Sequence, residues 1–309
     1  MDKKRGHSGN RILIISFALT FLILSLATLF FIYLPSHQTI QHLPSTYDFK
    51  IPDWMKFVSS NPEKVTMMNF TQIFQKTGNY SLFSSNKLLM ISNITTQITV
   101  LNSEFSATIL FQNPNPNSED LALNIIKPNQ DTYSAFKNEL EKSQTKNAYG
   151  THIIFQVNRV TASSPAYVSG YTTLDGGYLL YADGDKGLDL LKKALDTELE
   201  TNQFTGRPDV KASFYLLLSG KNDELGFSYS TLPYAVSDVV ATSTSIRYED
   251  NSVITRYVFT FSNADTASKN LDNIKQANLN ATDIQIIDNY IATTAKYENN
   301  LIFRELRSL

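Results

Sequence analysis

The chain has 309 residues, 42% of them hydrophobic and 18% charged, with 27 Lys+Arg against 29 Asp+Glu and no cysteine. Without cysteine there can be no disulfide, no thiolate metal centre and no lipidated cysteine, so any exported body must be held by an ordinary hydrophobic core. Four of the 27 basic residues and one of the 29 acidic ones precede residue 12, which leaves 23 against 28 in the remainder. That acidic balance argues against binding to nucleic acid or to an anionic membrane.

Residues Ile12–Leu34 form an apolar run with no charged residue, broken only by Ser16, Thr20, Ser25 and Thr28. As a helix it would be about 34 Å long, enough to cross a hydrocarbon core of about 30 Å with some tilt. Lys3, Lys4, Arg5 and Arg11 precede it, and the next basic residue after it is Lys50. The positive-inside rule then predicts a single-pass cell-membrane protein with residues 1–11 in the cytoplasm and the bulk extracytoplasmic. Cleavage after Ser25-Leu26-Ala27 is the competing reading; it would expose a new terminus beginning Thr28-Leu29-Phe30-Phe31, which favours an uncleaved anchor.

Residues 35–52, with Pro35, Pro44 and Pro52, read as a tether, and its His37 and His42 as solvated linker histidines. The body divides by pattern into a first lobe, 53–200, and a second, 201–309. In the first, Asp53 begins a short helical turn carrying Trp54, the only tryptophan. Strands are predicted over 87–93, 96–101, 104–112, 121–126 and 151–160, and a helix over Asp131–Ser143 with Tyr133, Phe136 and Leu140 at helical spacing. Asp175-Gly176-Gly177 marks a tight hairpin between strands 167–174 and 178–181. Asp185 is read as the cap of a helix reaching Leu199.

In the second lobe, strands are predicted over Val210–Leu218, 226–230, 242–248, 253–261 and 284–296. Helices are predicted over Asp265–Ala277 and from residue 299 to Leu306. The hairpin–helix units 167–199 and 242–277 superpose Asp185 on Asp265, with a degraded third copy around 104–143. The expected class is α+β: a transmembrane helix, then antiparallel sheet with helices on one face, in two related hairpin–helix lobes.

No residue pattern names a reaction. His152 is the one histidine of the predicted body, and no nucleophile elbow accompanies it. Lys76-Thr77-Gly78 and Ser84-Ser85-Asn86-Lys87 stand in the wrong order for the penicillin-binding boxes they resemble. Asp183-Gly184-Asp185 opens like a calcium loop, but Leu188 and Ala194 occupy the places its glycine and glutamate require. Tyr167, Tyr171, Tyr178 and Tyr181 around one hairpin fit strand packing better than a ligand groove. The sequons at Asn69, Asn79, Asn93 and Asn280 are no more than composition supplies. No catalytic residue, metal ligand or cofactor site is therefore assigned.

The layout of basic tail, single span and cysteine-free body rich in Asn, Ser and Thr resembles uncharacterised single-pass surface proteins of ammonia-oxidising archaea. That resemblance carries over no functional residue. The sequence points first to an interaction or scaffold module of the cell envelope, held in the bilayer through residues 12–34, with a protein or glycan partner. An extracytoplasmic ligand-binding protein and a carboxylate-dependent hydrolase are the alternatives. The topology is checked by protease protection in sealed vesicles: residues 53–309 should be digested from the outer side, while the first 11 residues stay protected.

Overall fold

The computed structural model describes residues 41–44, 51–59, 61–78, 87–113, 121–143, 145–161, 164–197, 202–218, 224–278, 280–298 and 301–307. All of them belong to one compact unit, Gln41–Leu309. The predicted span 12–34 lies outside the described residues, and no helix among them is long and apolar enough to cross a membrane.

The unit is α+β and built on one long antiparallel sheet. Its strands are β1 (Lys64–Asn69), β4 (Ser103–Phe111), β5 (Leu121–Pro128), β6 (Thr145–Tyr149), β7 (His152–Thr161), β8 (Ser164–Asp175) and β9 (Tyr178–Asp183). The later part of the chain adds β10 (Gly226–Ser230), β11 (Val239–Glu249), β12 (Ser252–Phe261), β13 (Ala281–Ile287) and β14 (Tyr290–Glu298). These twelve run in the order β13-β14-β12-β11-β10-β1-β4-β5-β9-β8-β7-β6, while β2 (Lys87–Leu89) and β3 (Ile98–Thr99) pair separately. The helices are α1 (Phe70–Thr77), α2 (Gln130–Ser143), α3 (Gly187–Leu195), α4 (Gln203–Gly206), α5 (Pro208–Leu218), α6 (Ala264–Ala277) and α7 (Ile302–Arg307), preceded by a 3-10 turn at Asp53–Phe57.

Helices cover both faces of the sheet, not one. The reason is visible in β5, where neighbouring Ile125 and Ile126 are both buried. Successive strand residues point to opposite sides. Ile125 packs in the cluster that holds Leu190, Leu191 and Ala194 of α3 and Phe214 of α5. Ile126 packs with Phe136 and Leu140 of α2. In β12 the split recurs: Val258 faces α5, and Phe259 faces Ala267 and Ile274 of α6.

The order also contains a repeat. On either side of the β1–β10 pair, β1-β4-β5-β9-β8 mirrors β10-β11-β12-β14-β13. The strand β5 leads into α2 and β12 leads into α6, each 14 residues long. Asn129 accepts from Thr132 N and Asn263 from Thr266 N, each within Asn-x-Asp-Thr, so the same cap starts both helices. The superposition of 167–199 on 242–277 does not hold: α3 and α6 lie on opposite faces, and 242–277 corresponds to the stretch ending in α2.

Val210–Leu218 is helix, not strand. Val210, Phe214 and Leu217 are buried at helical spacing, Pro208 occupies the first helical position and Asp209 the first turn. Proline at the first helical position and an acidic residue in the first turn both favour a helix start here. The stretch 284–296 is two strands, because Asp288 adopts φ 50 and turns the chain. The helix expected from Asp185 begins at Gly187 without a side-chain cap and ends at Leu195. The 175–177 hairpin forms as read, with Gly176 and Gly177 at φ 57 and 86. The strands β1 and β6 were not predicted.

The C-terminus of α5 is held by a buried cation. Arg247 is 3% exposed; it donates to Leu217 O at 2.6 Å and lies 3.3 Å from Glu224 and 3.7 Å from Glu249. Truncating one partner of such a set leaves the other charge buried without compensation. Arg247→Met should cost about 3–5 kcal/mol in denaturant unfolding, against about 1 kcal/mol for removing the α6 cap in Asn263→Ala.

Candidate functional site

At the end of the sheet where β1 finishes and β4 and β10 begin, the chain leaves a cleft of about 390 Å³. Met67 and Asn69 come from β1, Phe105 from β4 and Phe227 from β10. Asn69 lies opposite Phe105, and Met67 lies opposite both Ala107 and Phe227. The cleft therefore sits on the seam between the first and second halves of the chain. Pro52, Asp53, Trp54 and Met55 form one wall, Phe214 of α5 another, and Thr71 and Gln72 of α1 the rim.

The walls are apolar and firmly placed. Trp54 and Met55 are buried in the main core cluster. Trp54 lies with its ring centre 6.1 Å from that of Phe105, and Phe214 stacks on Phe227 at 4.4 Å. Asn202 secures the Trp54 turn from behind, donating to Met55 O at 2.8 Å and Val58 O at 2.9 Å. Stacked or edge-on aromatics and a turn tied by two hydrogen bonds give a wall that is set before any ligand arrives.

The polar groups are acceptors more than donors. The lining carries three carboxylates, Asp53, Glu104 and Glu224, and no Lys, Arg or His. Glu104 accepts from Lys127 at 2.6 Å, and Glu224 meets Arg247. Lys127 is pushed above its ordinary pKa chiefly by the hydrogen bond to Glu104, which outweighs its partial burial. The Asn69 Oδ1 accepts from Gln72 N and so caps α1.

Most residues singled out in the sequence lie elsewhere. His152 faces Asp175 at 3.9 Å beside the β8–β9 turn. Asp183 is taken up by Arg159 at 3.0 Å and by the Tyr181 hydroxyl. Burial, with the Asp183 contact second, pushes that phenol far above its ordinary pKa. Gly170 is required here, since a Cβ would lie 2.6 Å from the Tyr181 hydroxyl. Asp183 is thus a structural anchor for a buried tyrosine and is not free to hold calcium. Tyr171 and Tyr178 pack on the main core, and Tyr181 is buried on the opposite face, so these tyrosines form no groove.

Gly78 ends α1 in the left-handed conformation, which accounts for the Lys76-Thr77-Gly78 sequence. Asn69 is committed as a cap, Asn93 and Asn280 are exposed, and Asn79 lies outside the described residues. His42 is not merely solvated: its Nδ1 lies 2.6 Å from Asp288, which also accepts from Leu43 N at 2.9 Å. These contacts hold the Asp288 carboxyl below its usual range, the His42 hydrogen bond most of all. Of the cleft residues, Pro52, Asp53, Trp54 and Asn69 were marked in the sequence, as a tether proline, a helix start, the one tryptophan and a sequon, and none as a binding residue. The periodicities of β1, β4 and β10 gave no sign that Met67, Phe105 and Phe227 converge.

No protein-family model matches the chain, and no curated protein matches it. Among solved structures it is similar to crystal form I of TP0453, at 9% identity, with a TM-score of 0.45, over 84% of this chain and 97% of that one. Crystal form III of the same protein gives 9% identity and a TM-score of 0.44 over 84% and 98%.

Trp54 offers a direct readout of the wall. Phe105→Ala should raise acrylamide quenching of its fluorescence severalfold over the unaltered chain, with the circular dichroism of the sheet unchanged.

Proposed function

We propose that this chain is a membrane-anchored, extracytoplasmic ligand-binding module whose cleft takes a small molecule with an apolar body and a neutral or cationic head. The observation that carries the reading is the cleft itself: an aromatic-walled cavity of about 390 Å³ with carboxylates and amides on its lining. Its volume lies within the range of roughly 300–1,000 Å³ typical of small-molecule sites. An anion would meet three carboxylates and no basic side chain in the lining.

The position of the cleft supports the view of 53–200 and 201–309 as two related halves with a site at their junction. Residues 12–34 supply the anchor in this reading, and the positive tail sets its direction. Hydrolysis by paired carboxylates is less favoured, because Glu104 and Glu224 are each committed to a separate cation.

A second reading retains the anchor and makes the module a scaffold for an envelope protein or glycan. It is favoured by β6, an edge strand whose first four residues are all exposed. Such an edge can accept a strand from a partner.

The test uses two fluorescent probes on the full chain in detergent. The neutral amine N-phenyl-1-naphthylamine should bind at one site and quench Trp54 by energy transfer. The sulfonate 8-anilinonaphthalene-1-sulfonate should bind at least tenfold more weakly. Filling the cleft with Met67→Phe should abolish the transfer. Equal binding of both probes, or transfer that survives Met67→Phe, would count against the reading.

A further inference from the structure

The far end of β10 carries a different surface. Near its start Phe227 lines the cleft, and its last residue, Ser230, leads into the connection to β11. A strand of five residues spans about 17 Å. In that connection Leu232 is 42% and Tyr234 39% exposed, and Val240 just beyond it is 50% exposed. Pro233 and Ala235 between them are exposed as well. Half of the six large hydrophobic side chains exposed among the described residues therefore fall on one loop and the strand start it leads to.

The loop is held in place. Thr231 N donates to Glu63 O at 2.8 Å, Leu232 N to Ser230 Oγ at 3.1 Å, and the Tyr234 ring leans on Phe259 at 5.2 Å. Val236, buried at 8% exposure, packs with Phe259 and Phe261 and fixes the end of the turn. These apolar groups are kept in water by a set backbone. Residues 231–238 contain no basic side chain, and Asp238 is their one charge.

The tether meets the body at the same end of the sheet. Gln41 bridges Ile287 at the tip of β13, and the His42 and Leu43 contacts to Asp288 fasten it there. In sheet order β13 is three strands from β11, roughly 15 Å at about 4.8 Å per strand. Only Pro35 to Ile40 separate Gln41 from the apolar run that ends at Leu34. Fully extended, the seven steps from Leu34 to Gln41 reach roughly 25 Å.

We infer that the 232–240 surface rests on the lipid bilayer in which residues 12–34 are anchored. The partner is the neutral, zwitterionic surface of that membrane, met by Tyr234 at headgroup level with Leu232 and Val240 entering the interface. The short tether raises the local concentration of membrane at this end, so three apolar side chains suffice where a free protein would need many more. The cleft then lies at the opposite end of β10, away from the lipid. This inference rests on the anchor in the proposed function and not on the cleft.

The absence of cysteine gives a clean background for site-specific labelling. The full chain would be placed in phosphatidylcholine nanodiscs with an NBD fluorophore at Tyr234→Cys, or at Glu298→Cys on the far end of β14 as control. Quenching by headgroup-region doxyl lipid is expected at 234 and not at 298, and adding phosphatidylserine should not increase it. Leu232→Asn with Val240→Asn should reduce the quenching at 234 by more than half while Trp54 emission stays unchanged. A chain that copurifies with the nanodiscs but shows equal, water-like labels at 234 and 298 overturns the inference and leaves the anchor standing. A chain that does not copurify with the nanodiscs removes both. Quenching that appears only with phosphatidylserine would identify an electrostatic contact and overturn the apolar one.

Discussion

The antiparallel pairing of β1 with β10 is the constraint on which the rest depends. It joins Lys64 to Ser230 and Met68 to Gly226, residues far apart in the chain, and among the described residues it is the one strand pairing between the two halves of the sheet. Everything on either side propagates by hairpins or by the return of one strand beside its predecessor. Because the two strands run in opposite directions, the halves are related by a rotation about this seam. The equivalent helices α2 and α6 therefore fall on the same face, one on each side.

The seam also makes the cleft. Two hairpin-built halves meeting at a strand pair leave the strand ends uncovered until some other segment arrives. Here three segments arrive from different parts of the sequence: the Trp54 turn, the start of α1 and the inner side of α5. Each is fixed by something outside the cleft. The turn is held by Asn202, α1 is started by the Asn69 cap, and the end of α5 is held by Arg247. A cavity whose walls are secured from behind keeps its shape without a ligand, which is what a binding site needs and a well-packed core avoids.

The same sheet separates two surfaces of opposite character. One end of β10 is concave, aromatic and lined with acceptors. At the other, residues 232–240 expose Leu232, Tyr234 and Val240, and Asp238 is the one charge within that segment. His42 and Leu43 contact Asp288 at the other end, and Pro52, Asp53, Trp54 and Met55 build the cleft wall. The same N-terminal stretch thus supplies Gln41–Leu43 at one end of the sheet and Pro52–Met55 at the other.

The sequence by itself determined the features that local chemistry decides. The apolar run 12–34 and its flanking charge follow from composition alone. The Gly176-Gly177 hairpin follows from the need for positive φ. Helices α2 and α6 follow from apolar residues spaced by three and four, although their caps are Asn129 and Asn263 and not Asp131 and Asp265, where the helices were expected to begin. Tertiary structure decided whatever depends on which distant segment lies alongside. The strand β1, with only Val65 and Met67 to mark its alternation, becomes central because β4 and β10 flank it. The segment 208–218 is helix because its Val210–Phe214–Leu217 stripe has a sheet face to cover, although its apolar, aromatic composition suits a strand equally well. Helices occupy both faces because Ile125 and Ile126 are both buried, and a single strand's sequence does not say what will cover its second side. Met67, Phe105 and Phe227 each read as ordinary strand residues; only the register across three strands brings them to one site.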